Sequence, residues 1–181
     1  MRAIVGFFAI AFVAAFGAIT EAEDSRTSRA SFSGLWRYAG DAQEDQLRRR
    51  AIAAATKDMP SYIRKRARRH LEKQTVPPRE LKLAVTDLRF EATGRGDKVS
   101  LQFDAAAVAV EKNWGRGKVS VRFDGDQILF LAEGETGTRL TTYQLSPDQK
   151  RLTVSVRITG RRLSDPLVFQ STYERGRSSR R

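Results

Sequence analysis

The sequence has no cysteine and a single histidine, His70, among its 181 residues. Without cysteine no disulfide can form, so the stability of the fold must come from an apolar core. One imidazole and no thiol also exclude a cluster of the soft ligands that zinc and copper sites use. No serine occupies the G-x-S-x-G motif of a nucleophile elbow. The sequence therefore predicts a protein that is not an enzyme, with no catalytic residue, no metal and no cofactor.

Long hydrophobic runs are missing except at the N-terminus, where residues 3–19 are uncharged and apolar. Arg2 precedes this run and the triplet 20–22 ends it with small residues, which is the pattern of a Sec-type signal peptide. We expect cleavage after Ala22 and a periplasmic or secreted protein. An uncleaved anchor is the alternative, although the run is short for a membrane span. Residues 23–31 are polar and aperiodic and are predicted to be a disordered leader.

Acidic residues are scarce relative to basic ones. The chain has 33 Lys and Arg against 21 Asp and Glu, a net charge of +12. One interpretation is a genomic bias toward arginine codons, and the other is affinity for anionic partners, because arginine binds phosphate and carboxylate in a bidentate manner. An exported protein does not meet nucleic acid, so the anionic partner in the second interpretation is a lipid headgroup or a cell-wall polymer.

Two helical segments follow a first strand at residues 32–38. Asp41 and Glu44 form a predicted capping box at the start of the first helix. The apolar face of that helix is predicted from four residues at helical spacing: Leu47, Ala51, Ala54 and Ala55. Arg48 is expected on the opposite side, in solvent. Met59 and Pro60 end this helix, and the whole helix-turn-helix spans residues 41–73.

The second helix, predicted over residues 62–73 with Ser61 as its cap, is strongly basic. Four cations share one of its faces, because positions i, i+1, i+4 and i+5 cluster on a helix: Arg64, Lys65, Arg68 and Arg69. One interpretation is a solvated outer face. The other is a surface that docks onto anionic membranes, since each cation near such a membrane contributes about 1 kcal/mol.

From Glu80 onward apolar and polar residues alternate, as in Leu152, Val154 and Val156. Turn residues separate these runs about every ten residues, which indicates roughly nine strands in addition to the first. Short strands at this spacing are typical of a sandwich or a barrel. The prediction is a mostly β fold: a barrel of about ten antiparallel up-and-down strands, with the helix-turn-helix between the first and second strands.

Three motifs in this order resemble the fatty-acid-binding-protein branch of the calycins, relatives of the lipocalins. Phe32-Ser33-Gly34-Leu35-Trp36-Arg37 is similar to the opening F-x-G-x-W-K of that family. A helix-turn-helix follows the first strand, where the family has its portal lid. The segment Ser171-Thr172-Tyr173-Glu174-Arg175 is similar to the closing R-x-Y-E-K. The resemblance covers residues 32–175 and implies one barrel domain, followed by a basic tail at 176–181. The classical family is cytoplasmic, whereas the apolar N-terminal run indicates export, so we expect an exported bacterial relative.

The resemblance also implies roles for single residues. Gly34 is expected to bend the backbone at the barrel floor, Trp36 to plug that floor, and Arg175 to stack on Trp36. Tyr173 is implied to be an inward polar group. Ser171, however, stands where the family has an arginine that grips the fatty-acid carboxylate.

Two further residues, Tyr143 and Arg157, are candidates for orienting a ligand head group, with Arg122 less favoured. Sequence alone does not determine which face of a strand points inward. If Val154 and Val156 line the interior, Arg157 points outward.

These observations predict a monomeric, non-enzymatic carrier of an apolar or amphipathic, lipid-like small molecule. The alternative is an envelope interaction module. In that hypothesis the barrel is filled by its own side chains, and the basic helix and tail bind anionic lipid or polymer.

We expect the mature chain to begin near Glu23, because the apolar run and its small-residue triplet end there. Intact-mass measurement of the exported protein should show a loss of about 22 residues. Full-length protein recovered from the inner-membrane fraction would contradict this expectation and favour the anchor.

Overall fold

The computed structural model describes residues 29–112 and 115–176. The predicted signal peptide, residues 23–28 of the predicted leader and nearly all of the basic tail lie outside these ranges. Within them, no helix is both long enough and apolar enough to cross a bilayer.

The described residues form two helices and ten strands. The helices are α1, Ala42–Ala55, and α2, Ser61–Thr75. The strands β1 to β10 are, in chain order, Gly34–Tyr38, Glu80–Val85, Arg89–Gly94, Asp97–Gln102, Val108–Lys112, Gly115–Asp124, Gln127–Gly134, Gly137–Leu145, Arg151–Gly160 and Leu167–Arg175. Neighbouring strands pair antiparallel in the order β4-β3-β2-β1-β10-β9-β8-β7-β6-β5. The predicted up-and-down topology, with the helix pair between the first and second strands, is therefore confirmed.

The sheet curls into a half-barrel whose edge strands are β4 and β5. The end of β4 turns onto β6 across the opening. There the Asp104 N–H donates to the Val121 carbonyl at 3.0 Å. The Phe103 ring also packs edge-on against Phe123, with 6.4 Å between ring centroids. These contacts bring the two halves of the sheet together at the end of the barrel that lies away from the helices, here called the floor.

Alternate residues of each strand point inward and form the core. In β2 these are Leu81, Leu83 and Val85, and in β9 they are Leu152, Val154 and Val156. Because a shift of one residue would turn every such side chain into solvent, this alternation determines the strand register. In β9 it leaves Arg157 exposed on the outer face.

The segment before β1 differs from the prediction. Residues 29–31 form a helical turn, so the expected disordered leader is wrong at its C-terminal end, and β1 begins at Gly34 rather than at residue 32. The Arg29 guanidinium lies 5.2 Å from the Phe103 ring centroid and 4.7 Å from that of Phe123. It also donates to the Asp87 carbonyl at 2.8 Å. These contacts with residues far along the chain stabilise a turn that the polar composition of residues 29–31 does not predict.

Trp36 and Arg175 meet at the barrel floor. Trp36 is fully buried, and the Arg175 guanidinium lies 4.3 Å from its ring centroid. Arg175 also donates to the carbonyls of Ser33, at 2.8 Å, and Ser31, at 2.6 Å. Gly34 has φ +147°, and a Cβ there would lie 3.0 Å from Arg175 Nη1. The structure thus brings together the three residues that the sequence marked as structural, and Gly34 is required by both backbone conformation and space.

Helix α1 takes the place of a strand beside β10. The short β1 pairs with β10 only from Tyr173 to Arg175, and α1 packs against β10. Beyond the ladder, the Ala39 N–H donates to the Thr172 carbonyl at 2.9 Å. The Glu44 carboxylate accepts from the Thr172 N–H at 3.2 Å. These bonds satisfy backbone groups that a longer β1 would have paired.

The prediction of the buried face of α1 holds in part. Ala55 is buried and Ala51 packs against the core, as predicted. Leu47 is 54% exposed and Ala54 also faces solvent, whereas Arg48 and Ile52 are buried. Arg48 is buried because it joins the two helices: it donates to Thr75 Oγ1 at 2.9 Å and forms an ion pair with Asp45. These polar contacts turn the helix so that an arginine takes an inward position.

The helix caps were predicted in part. Asp41 Oδ1 accepts from the N–H groups of Gln43 and Glu44, both at 2.9 Å, as a cap should. The Glu44 side chain binds β10 rather than completing the capping box. The prediction of Ser61 as the cap of α2 was wrong, because Pro60 occupies that position and makes no side-chain cap bond.

Replacing Trp36 with alanine should lower the free energy of unfolding by about 3–5 kcal/mol, as for other buried aromatic residues. Urea denaturation measures this change. Tyr62→Ala is the control, because Tyr62 is 81% exposed and its loss should alter stability by less than about 0.5 kcal/mol. Equal midpoint shifts for the two variants would show that Trp36 does not hold the floor.

Candidate functional site

Strands β8 and β10 direct polar side chains into the half-barrel. On β10, Ser171 and Tyr173 are 3% and 2% exposed. On β8, Thr141 and Tyr143 are 5% and 7% exposed, and the partly buried Arg139 lies on the same face by alternation. The predicted candidates Ser171, Tyr173 and Tyr143 therefore share the interior.

The strand register sets the height of each group. Val154 of β9 pairs with both Tyr143 and Ser171, so these two lie in one row across the sheet. Ile158 of β9 pairs with Arg139. Arg139 is thus four residues along β8 from Tyr143, toward the turn at the helix end of the barrel. The polar groups form a ladder that rises from the floor toward the helices.

Arg157 does not join this site. It stands between the inward positions Val156 and Ile158 of β9 and is exposed on the outer face. The prediction that Arg157 orients a ligand inside the barrel is wrong, because strand alternation places its side chain outside. Arg122 is likewise exposed, in an ion pair with Asp124 at 3.7 Å.

Aromatic rings occupy part of the interior. Phe90, which is fully buried, lies 6.2 Å from Phe103, 6.4 Å from Phe130 and 5.6 Å from Tyr143 between ring centroids. These contacts join β3 to β7 and β8 across the half-barrel. The cluster packs part of the interior around Tyr143 with the chain's own side chains.

Burial controls the protonation of the two interior tyrosines. It raises the pKa of Tyr143 to about 12, an effect that the charge of Arg139 opposes. Burial is also the main cause that raises the pKa of Tyr173, and the neighbouring Tyr143 and Tyr38 add to it. Both hydroxyls therefore remain protonated at neutral pH and can donate hydrogen bonds.

Arg139 is the interior residue that sequence reasoning missed. Burial lowers its pKa, yet a guanidinium stays charged at neutral pH. Throughout residues 29–112 and 115–176, no side chain forms an ion pair or hydrogen bond with it. Arg139 and Tyr143 are four residues apart in one strand, and such residues point to the same face of the sheet. This spacing was the sequence signal that could have placed Arg139 in the interior.

The basic cluster predicted on α2 lies outside the barrel. Arg64 and Arg68 are partly buried, and Lys65 and Arg69 are exposed. Their side chains line a shallow depression together with those of Ser61 and Glu72. No group of three or more potential metal ligands occurs among the described residues.

No protein-family model matches the sequence, and no curated protein matches it. Solved structures do match. The fluorescent protein UnaG has 15% identity and a TM-score of 0.50, covering 80% of this chain and 97% of that one. A secretary abundant heat soluble (SAHS) protein from Ramazzottius varieornatus has 12% identity and a TM-score of 0.51, covering 81% and 96%.

The chain therefore shares its fold with UnaG and with the SAHS protein. A further structure with a similar arrangement is lipid binding protein 8 of Caenorhabditis elegans, with 12% identity and a TM-score of 0.48 over 81% of this chain and 96% of that one. At these identities the likeness concerns the fold. The function of this barrel must be argued from its own residues.

The free energy of unfolding should fall as pH rises from about 10 to about 12. The unfolded chain releases the Tyr143 proton near its ordinary pKa of 10.0, whereas the folded chain holds it to about 12. A raised folded pKa gives stability that is complete below pH 10 and is lost as pH approaches 12. Denaturation across this range, compared with Tyr143→Phe, measures the contribution. The contrary result is a tyrosinate absorbance step near pH 10 that the folded parent protein shows and the folded variant lacks. It would show that the Tyr143 hydroxyl is exposed to water.

Proposed function

We propose that this protein binds an amphipathic small molecule with an anionic head group and an apolar tail, without covalent chemistry. Arg139 is the observation that carries the proposal. It is a partly buried cation on the inward face of β8, and no described side chain neutralises it. An anionic ligand supplies the counter-charge that this guanidinium lacks.

The surroundings of Arg139 suit such a ligand. A guanidinium presents a planar fork of donors that matches a carboxylate. Tyr143 and Tyr173 keep their protons and can donate further hydrogen bonds. Between these polar groups stand buried apolar residues such as Val156 and Leu167. The head group is then held beside Arg139 near the helices, and the tail lies against apolar walls.

Export is part of this proposal. The apolar run at residues 3–19 and the triplet 20–22 support a periplasmic or secreted location. An exported carrier of this kind takes up its ligand in the envelope or outside the cell.

A second candidate function is docking to anionic membranes through α2. The observation that favours it is the depression lined by Arg64, Lys65, Arg68 and Arg69. None of these four cations has an ion-pair partner within the described ranges. Docking and internal binding are compatible, since the two sites lie on different elements.

Arg139→Gln should weaken binding of a fluorescent fatty acid by about tenfold to a hundredfold, the loss expected for a charge-assisted hydrogen bond of about 1.5–3 kcal/mol. Arg157→Gln is the matched control, because it removes the same charge from the outer face and should leave affinity unchanged. Fluorescence titration gives both dissociation constants.

A fatty alcohol of the same chain length serves as the uncharged ligand. The parent protein should prefer the acid, and Arg139→Gln should remove that preference. Equal effects of the two arginine variants would refute the assigned role of Arg139. No binding of either ligand to the parent protein would indicate a filled barrel and refute the carrier function.

A further inference from the structure

The depression on α2, here called the α2 cleft, is more organised than a diffuse basic face. Its six lining residues repeat at helical spacing on one side of the helix: Ser61, Arg64, Lys65, Arg68, Arg69 and Glu72. Five of these side chains are donors or cations, and Glu72 is the only acid. Such a density of uncompensated positive charge around one depression suits an anion of more than one negative charge.

Two arginines of the cleft are held in place by the chain segment that ends α1. Arg64 donates to the Met59 carbonyl through Nε at 3.0 Å and through Nη2 at 2.8 Å. Arg68 donates through Nε to Thr56 Oγ1 at 3.0 Å and through Nη2 to the Ala53 carbonyl at 3.4 Å. In both cases the Nε and Nη2 groups are occupied by the protein. The Nη1 groups are left for a ligand, on side chains whose conformational entropy is already lost.

Lys65 and Arg69 complete the cleft with mobile charges. Both are exposed, and no described residue forms an ion pair with either of them. Their side chains can contact an anion that is bound to Arg64 and Arg68.

The N-terminus of α2 adds positive electrostatic potential to the cleft. Pro60 at the N-cap makes no side-chain bond, and its carbonyl accepts from the N–H groups of Ile63 and Arg64. The N–H groups of Ser61 and Tyr62 remain, and together with the helix dipole they favour an anion there.

We propose that the α2 cleft binds the terminal phosphate of a membrane lipid head group. A phosphate monoester carries up to two charges and three acceptor oxygens, which matches two fixed guanidinium groups and two mobile cations better than a single carboxylate does. The inference deepens the membrane-docking candidate and rests on it.

The test compares vesicles of phosphatidic acid and of phosphatidylserine at matched surface charge. The parent protein should bind phosphatidic acid more tightly by about tenfold. The double variant Arg64→Lys with Arg68→Lys keeps the net charge but loses the two fixed Nη1 donors. It should lose the preference while still binding phosphatidylserine. The double variant Arg37→Lys with Arg122→Lys, on exposed positions elsewhere, should keep the preference.

The possible outcomes distinguish membrane docking in general from specific binding of a phosphate group. No binding of the parent protein to either vesicle would refute membrane docking as a whole. Equal binding to both vesicles, or a preference that survives in the Arg64/Arg68 variant, would refute the phosphate site and leave docking as an effect of diffuse charge. Saturable binding of glycerol 3-phosphate together with equal vesicle binding would overturn the lipid source and assign the cleft to a soluble phosphate ester.

A second double variant controls for the effect of a folding defect on binding. Lys65→Gln with Arg69→Gln alters side chains that make no hydrogen bond within the described ranges, so the fold should be retained. Binding to phosphatidic acid should fall several-fold more than binding to phosphatidylserine. Equal losses on both vesicles would contradict the site.

Discussion

The guanidinium of Arg175 is the contact on which the floor of this half-barrel depends. It stacks on Trp36, donates to the Ser31 and Ser33 carbonyls, and also donates to the Gln149 carbonyl at 3.2 Å. One side chain therefore ties the turn before β1, the last strand and the β8–β9 turn. The Trp36 indole donates to the Phe32 carbonyl at 2.9 Å, so burying it leaves no polar group unsatisfied. A second cation, Arg29, performs a related role between Phe103 and Phe123.

The short first strand determines where the helices sit. Because β1 pairs with only the end of β10, α1 packs beside that strand, and Glu44 and Ala39 satisfy the Thr172 backbone. Helix α2 is then fixed from two directions. Arg48 of α1 donates to Thr75 near its C-terminus, and Arg95 of the β3–β4 turn donates to the carbonyls of Lys73 and Val76. Arginines that bond to backbone and hydroxyl oxygens hold the helix pair, which explains part of the basic composition without any partner.

The interior combines a packed lower part with a charged upper part. Phe90 and its ring neighbours fill part of the interior around Tyr143, as the alternative of a self-filled barrel would require. Arg139, nearer the helices, is a partly buried cation with no described counter-charge. The outer surface carries the other organised charge, the α2 cleft. The described residues therefore place organised positive charge in two separate parts of the molecule: Arg139, partly buried in the half-barrel, and the α2 cleft, open to water.

Sequence by itself determined the topology and the floor. Period-two alternation, turn spacing and two helical segments defined ten antiparallel strands around a helix pair, since these signals are local. Motifs near both ends indicated Gly34, Trp36, Arg175 and the inward Tyr173.

Only tertiary structure decided which arginines are inside. Arg48 was predicted in solvent and is buried, Arg157 was a candidate for the interior and is outside, and Arg139 and Arg29 were not predicted to have roles. The sequence around an arginine does not show whether its side chain points into the interior or into solvent. Its placement depends on partners far along the chain, such as Thr75 for Arg48 and Phe123 for Arg29. Burial of those partners, and the choice of which face of each strand points inward, are decided only once the chain has folded.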